Sequence, residues 1–214
     1  MKINKYIDHT ILKPETTEEE VLQICKEALQ YDFACVCVNS CYCSLVANAL
    51  KGCSVKTCTT IGFPLGAAST QSKASEAKDS VDNGAMELDM VINVGALKSG
   101  NIEYVEKDIA AVVNTVKDKA IVKVIIETCL LTDEEIVQAC KICKKAGAKY
   151  VKTSTGFNEA GATVEHVKLM RETVGDDMGV KASGGIKTYQ QALQMIDAGA
   201  DRIGTSSGVE IMKG

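Results

Sequence analysis

The chain has 214 residues, 46% hydrophobic and 24% charged, and a formal net charge of -4. That length sets one domain, residues 1–214, as the expectation, and the acidic balance leaves no basic face to neutralise nucleic-acid phosphates. No apolar run approaches the roughly 18 residues of a membrane span. The opening "MKINKYIDHTILKPE" lacks an apolar signal core, so a cytoplasmic, non-secreted protein is expected.

In chain order, strand patterns fall near 5–10, 33–39, 54–61, 86–92, 120–127, 149–154, 179–183 and 201–206. Between them run amphipathic helical patterns such as "TTEEEVLQICKEALQ", "TDEEIVQACKICKKAG" and "TVEHVKLMRETVG", with Thr or Asp near their starts. A joint recurs in "DNGAMELDM", "KAGAKYVKT" and "DAGADRIGT": a helix-ending glycine (Gly84, Gly147, Gly199), then Ala, then a strand. Eight strands alternating with helices in one α/β domain predict a closed (β/α)8 TIM barrel. No dinucleotide fingerprint or Walker loop favours an open sheet.

The ten cysteines invite a metal or redox reading, chiefly in "CVCVNSCYC" and "CKIC". Cys35 and Cys37 belong to a strand, whereas Cys41 and Cys43 fall in the following turn and helix start, so four sulfurs would not converge. Cys140 and Cys143 sit within a helical pattern. Free, mostly buried thiols in a reducing compartment are the expectation, with no metal and no cofactor.

Strand residues alternate sides. Val36, Val38, Leu88, Met90, Ile92, Val122, Val124, Ile126, Val151, Val180 and Ile203 form the set expected to face the helices. The opposite parity places Asp8, Cys37, Asn39, Glu87, Asp89, Lys123, Glu127, Lys152, Lys181 and Arg202 in the lumen, a charged set for an interior usually filled by Val, Ile and Leu. Such charges must be paired or functional. Ion pairing suits Lys123, Glu127, Glu87 and Arg202. Lys152 and Lys181 differ, because each precedes a glycine-bearing turn at the C-terminal end of its strand, where barrel enzymes keep their chemistry.

Two ammonium groups facing one cavity disfavour each other's charge, so one is expected to titrate low. A neutral amine there attacks carbonyls to form Schiff bases, with Asp89 holding the second lysine or moving protons through water. The chain has two histidines and no ligand cluster around either, so metal-assisted carbonyl chemistry is set aside. Gly156, Gly184, Gly185, Ser206 and Ser207 all occur where a late strand meets its helix, which suits an anion cradle. Two other readings remain open on these residues: a different Schiff-base barrel acting on ketose phosphates or keto acids, and a non-catalytic phosphate-binding barrel.

"YIDHTILKP", "ACVCVNS", "TTIGFPLG", "ELDMVINVGALKSG", "KVIIETCLL", "VKTSTGF", "VKASGGI" and "RIGTSSG", in that order, resemble the deoxyribose-phosphate aldolase family of class I Schiff-base aldolases nearly end to end. The resemblance implies Lys152 as the Schiff-base lysine, Lys181 lowering its pKa, and Asp89 working with Lys181 in proton transfer. It places Asp8, Thr10, Cys37 and Thr155 around the substrate and assigns phosphate to Gly156, Gly184, Gly185, Ser206 and Ser207. It further implies a homo-oligomer, a dimer being favoured, and no cofactor. The sequence ends in "GVEIMKG" without the tyrosine-bearing tail of some members, so enamine protonation would rest on Asp89 and Lys181. Phe157 stands where some members carry a lysine. Cys37 shares lumenal parity with the lysines, which raises the expectation that unsaturated aldehydes could bridge it to Lys152.

Overall fold

A computed structural model describes residues 2–214. Eight parallel strands, β1 (Ile7–Thr10), β2 (Cys35–Val38), β3 (Lys56–Ile61), β4 (Glu87–Val91), β5 (Ile121–Ile125), β6 (Tyr150–Lys152), β7 (Gly179–Ser183) and β8 (Arg202–Thr205), close into a barrel in sequence order. Around them lie α1 (Glu18–Tyr31), α2 (Cys43–Ala49), α3 (Thr70–Asp82), α4 (Val94–Lys98), α5 (Ile102–Thr115), α6 (Asp133–Lys145), α7 (Val164–Val174), α8 (Tyr189–Asp197) and α9 (Gly208–Lys213). Among the described residues, no helix is long and apolar enough to cross a membrane.

Local chemistry explains the boundaries. Thr17, Thr132 and Thr188 each close a capping box with Glu20, Glu135 and Gln191, which satisfies N–H groups at the starts of α1, α6 and α8. The joint glycines Gly84, Gly147 and Gly199 take φ of 101°, 83° and 109°, which L side chains rarely adopt. Strands are shorter than expected at several ends. Residues 5 and 6 belong to a 3-10 turn before β1, and β6 stops at Lys152, after which the Thr153 side chain adds to the backbone bonds with β7. Thr153 Oγ1 donates to Ser183 O at 3.1 Å and accepts from Ser183 N at 3.0 Å.

The alternation holds. Val36, Val38, Leu88, Met90, Ile92, Val122, Val124, Ile126, Val151, Val180 and Ile203 are all buried in the layer between barrel and helices, each such side chain contributing about 1.5–3 kcal/mol. His9 shares that face, its Nε2 2.7 Å from Glu27 Oε2 and its ring against Phe33. Cys140 and Cys143 are buried free thiols on α6. Glu127 departs from expectation: it lies past β5 with φ 58° and ψ 65°, and its carboxylate turns to a loop rather than to a lumenal cation.

Candidate active site

The barrel register sets the site. Lys152 pairs with Lys181 across β6 and β7, and Asp89 pairs with Lys123 across β4 and β5. Lys152 Nζ and Lys181 Nζ each lie 2.7 Å from Asp89 Oδ2. Lys181 also reaches Asp8 Oδ2 at 2.5 Å. Lys123 lies 2.8 Å from Asp89 Oδ1, 2.8 Å from Glu87 and 3.3 Å from Asp8. Arg202 bridges Asp8 at 2.5 Å and Glu87 at 3.0 Å from the neighbouring strand. Ion pairing thus accounts for Lys123, Glu87 and Arg202, as their parity suggests.

Gly204 makes room for this cluster. A Cβ there would lie 2.9 Å from Ser183 Cβ and 3.0 Å from Lys181 Cε. A glycine inside a strand signals close approach, and here the neighbour is the buried lysine.

Electrostatics separate the two central lysines. Burial pushes Lys181 toward neutrality, but Asp8 and Asp89 outweigh it and raise its pKa above the ordinary lysine value. At Lys181 the carboxylates on both sides outweigh burial and the repulsion of the neighbouring Lys123 ammonium. Burial likewise opposes the charge of Asp8, yet Lys181, Lys123 and Arg202 hold it well below the carboxylate range. Asp89 is held well below that range in the same way, by Lys123, Lys152 and Lys181 against burial. Lys152 has one carboxylate partner where Lys181 has two, and it alone of the three lumenal lysines keeps a trace of exposure, 2%.

A thiol cluster underlies the charges. Cys37 is buried, 3.9 Å from Asp89 Oδ2, and its hydrogen bond to Cys58 and its burial raise its pKa. Cys58 pairs with Cys37 across β2 and β3 and donates to Asp89 Oδ1 at 3.3 Å. Burial opposes ionisation of Cys58, but bonds from the Cys35 and Cys37 thiols, together with Lys123 Nζ at 3.2 Å, lower its pKa. Cys58 rather than Cys41 or Cys43 joins Cys35 and Cys37, a convergence that depends on register between strands and that no single strand's pattern shows. Two ligand-like groups result, Cys35, Cys58 and Glu87, and Cys37, Cys58 and Asp89, with donor atoms within 4.8 Å of one another. The Lys123 ammonium lies against Cys58, Glu87 and Asp89 and supplies positive charge to both groups.

Around the C-terminal mouth, the last three strand-to-helix turns are stitched together. Ala162 N donates to Ser183 O at 3.0 Å and to Gly184 O at 3.2 Å. Ser183 Oγ donates to Ser154 O at 2.6 Å, and Thr205 Oγ1 to Ile186 O at 2.7 Å. Gly156, Gly184 and Gly185 take φ of 85°, 87° and 80°. Ser206 is exposed, and Ser207 turns its N–H inward to Thr205 Oγ1 at 2.9 Å. Thr155 donates its hydroxyl to Glu127 Oε2 at 2.5 Å, and Thr10 donates its own to Asp8 O at 2.8 Å. Phe157 is half exposed and packs edge-on against Phe63, ring centroids 5.2 Å apart. Surface hollows lie between α7 and α8 and along α1, the latter reaching Ile11 just past β1.

A (β/α)8 barrel with paired lysines and a shared carboxylate at the C-terminal ends of its strands is the architecture of an enzyme that works on carbonyl groups. The comparisons with known proteins narrow that class. Residues 2–214 match the DeoC/LacD family aldolase profile, and the chain belongs to that family. The deoxyribose-phosphate aldolase of Clostridium novyi (strain NT) is 62% identical over all of this chain and 96% of its own length. That of Streptococcus gordonii (strain Challis) is 62% identical over all of this chain and 97% of its own. Among solved structures, the tetrameric deoxyribose phosphate aldolase from Aeropyrum pernix superposes with a TM-score of 0.92 at 37% identity, covering 99% of this chain and 89% of that one. An aldolase called QR15 gives 0.94 at 42% identity, covering 99% and 94%.

Proposed function

We propose that residues 1–214 act as one aldolase domain that reversibly cleaves 2-deoxy-D-ribose 5-phosphate to D-glyceraldehyde 3-phosphate and acetaldehyde, through a Schiff base on Lys152 and without a cofactor. The observation that carries this reading is the lysine pair sharing Asp89 Oδ2 at the barrel mouth, in a chain 62% identical to named relatives.

The amine of Lys152 attacks C1 of the open-chain aldehyde, and loss of water gives the iminium. Removal of the C3 hydroxyl proton breaks the C2–C3 bond, its electrons passing into the iminium to leave an enamine and release D-glyceraldehyde 3-phosphate. Protonation at C2 and hydrolysis then free acetaldehyde and the amine. Lys152 is assigned the nucleophile because it is the least restrained of the buried lysines. Lys181, between Asp8 and Asp89, keeps its proton and serves as the charged member of the relay. Asp89, in contact with both lysines, passes protons between them and water. Asp8, Thr10, Cys37 and Thr155 line the path of the sugar. Gly156, Gly184, Gly185, Ser206 and Ser207 hold the phosphate, supported by the stitching of their turns.

A cytoplasmic role in deoxynucleoside catabolism and assembly into a homo-oligomer, with a dimer favoured, complete the reading; light scattering of the purified chain tests the assembly. The chemistry is tested by borohydride reduction with acetaldehyde present and peptide mass spectrometry. A two-carbon adduct on Lys152, absent in Lys152→Ala, is expected. An adduct on Lys181 instead would exchange the two roles, and activity without any adduct would remove the Schiff base.

A further inference from the structure

Glu127 is a buried carboxylate, 2% exposed, with no basic partner among the described residues' ion pairs. Its backbone lies in the left-handed region, φ 58°, which is uncommon for a non-glycine residue and draws attention to what the side chain reaches. Burying a carboxylate requires donors, and all three come from one short loop. Thr155 N donates to Oε1 at 3.1 Å, Thr155 Oγ1 to Oε2 at 2.5 Å, and Asn158 Nδ2 to Oε2 at 2.9 Å. Thr155 Oγ1 in turn accepts from Phe157 N at 3.1 Å. The carboxylate therefore closes a ring of hydrogen bonds around Gly156, in the turn that follows Lys152.

The nucleophile is fixed by other bonds. Ile126 N donates to Lys152 O at 3.0 Å, Thr153 N to Lys181 O at 3.0 Å, and Thr128 N to Thr153 O at 2.9 Å. None of these involves the Glu127 side chain. Loss of the carboxylate would free the 155–158 turn while leaving Lys152 on its ladder.

We propose that Glu127 is a positioning residue that sets the Thr155–Gly156 turn against the phosphate end of the substrate, and so determines preference for phosphorylated over unphosphorylated sugars. The inference rests on the proposed substrate. It needs no contact between Glu127 and the substrate, because the carboxylate acts through the backbone and hydroxyl of Thr155.

The test compares wild type, Glu127→Ala, Glu127→Gln and Asn158→Ala by kcat and KM with 2-deoxyribose 5-phosphate and with 2-deoxyribose, alongside borohydride trapping of acetaldehyde. For Glu127→Ala, kcat/KM with the phosphorylated sugar should fall about ten- to a hundredfold, chiefly through KM, as expected for lost hydrogen bonds to a charged group. Values with the unphosphorylated sugar should fall markedly less, by only the part of the loss that Thr155 carries along the sugar itself, and trapping on Lys152 should persist. Glu127→Gln should be intermediate, since the amide oxygen still accepts from Thr155 N while its NH2 opposes Asn158. Asn158→Ala removes one donor from an exposed position and should shift KM in the same direction, which keeps the test alive if Glu127→Ala does not fold. Equal losses with both sugars, or KM unchanged in every variant, would overturn the inference. Wild type that traps acetaldehyde on Lys152 but turns over both sugars alike would overturn it while leaving the aldolase reading intact; wild type that traps nothing would remove both.

Discussion

Lys152 and Lys181 are direct partners across the β6–β7 ladder, and both ammonium nitrogens lie 2.7 Å from one oxygen of Asp89. The other oxygen of that carboxylate receives Lys123 at 2.8 Å and Cys58 at 3.3 Å. Asp89 is thus the common counter-ion of three buried lysines. Replacing it by Asn leaves their charges without that counter-ion, and uncovering a buried partner costs about 3–5 kcal/mol. Asp89→Asn should lower the urea midpoint accordingly and, where folded, reduce kcat by about 10²–10⁴-fold, the scale of a lost acid-base group. A variant with wild-type stability would show that the three ammonium groups find other partners.

Acid, and not neutral pH, should destabilise this cluster. Asp8 and Asp89 are depressed in the folded state below the ordinary 3.8. The unfolded chain therefore binds more protons as pH falls through that value. The stability these carboxylates supply is complete above the unfolded pKa and is lost as pH falls toward the folded one. Lys181 is raised above 10.5, so its share is present below that value and lost only as pH rises beyond it. Urea unfolding between about pH 2 and 6 should show a steep acid limb in wild type and a shallower one in Asp8→Asn. Parallel limbs would mean that Asp8 does not contribute to it.

Much of this was legible in the sequence, for reasons that residues make plain. The period of two placed Asp89, Lys152 and Lys181 on one face, because alternation in a barrel leaves a side chain only two choices. The joint glycines marked the helix-to-strand turns. Cys58 was missed because its meeting with Cys35 and Cys37 depends on register between strands, which no single strand's pattern contains. Strand parity carried past Ile125 puts Glu127 in the lumen, but β5 ends at Ile125 and the backbone turns left-handed at Glu127. The raised pKa of Lys181 needed the position of Asp8, on a strand far away in sequence.

Outside the barrel, Lys73 and Asp108 form a fully buried pair between α3 and α5, 2.6 Å apart. Lys73 also donates to Val91 O at 3.0 Å, and Thr70 Oγ1 to Asp108 Oδ1 at 2.8 Å. Removing one member leaves the other charge unpaired, so Lys73→Met or Asp108→Leu alone should cost about 3–5 kcal/mol. The combined change should recover most of that, less about 1–3 kcal/mol for the hydroxyl or carbonyl left unsatisfied. A double-mutant cycle from urea unfolding measures the difference. Additive losses would show that the two charges are compensated separately.

The turns at the barrel mouth press against each other at Gly161. A Cβ there would lie 2.1 Å from Gly184 O and 2.3 Å from Gly184 C, backbone atoms that cannot swing aside as a side chain can. Ala162 N bonds Ser183 O and Gly184 O across the same contact, so Gly161→Ala must push the β7–α8 turn away by about 1 Å, a displacement that can cost on the order of 10²-fold at a well-oriented site. Gly185→Ala makes a useful contrast, because nothing lies within 4 Å of its Cβ and the burden is its φ of 80° alone. If the stitched turns hold the phosphate, Gly161→Ala should raise KM for the phosphorylated sugar while acetaldehyde still forms its adduct on Lys152. Gly185→Ala should lower thermal stability and raise KM less. Wild-type kinetics in Gly161→Ala would separate this contact from substrate binding.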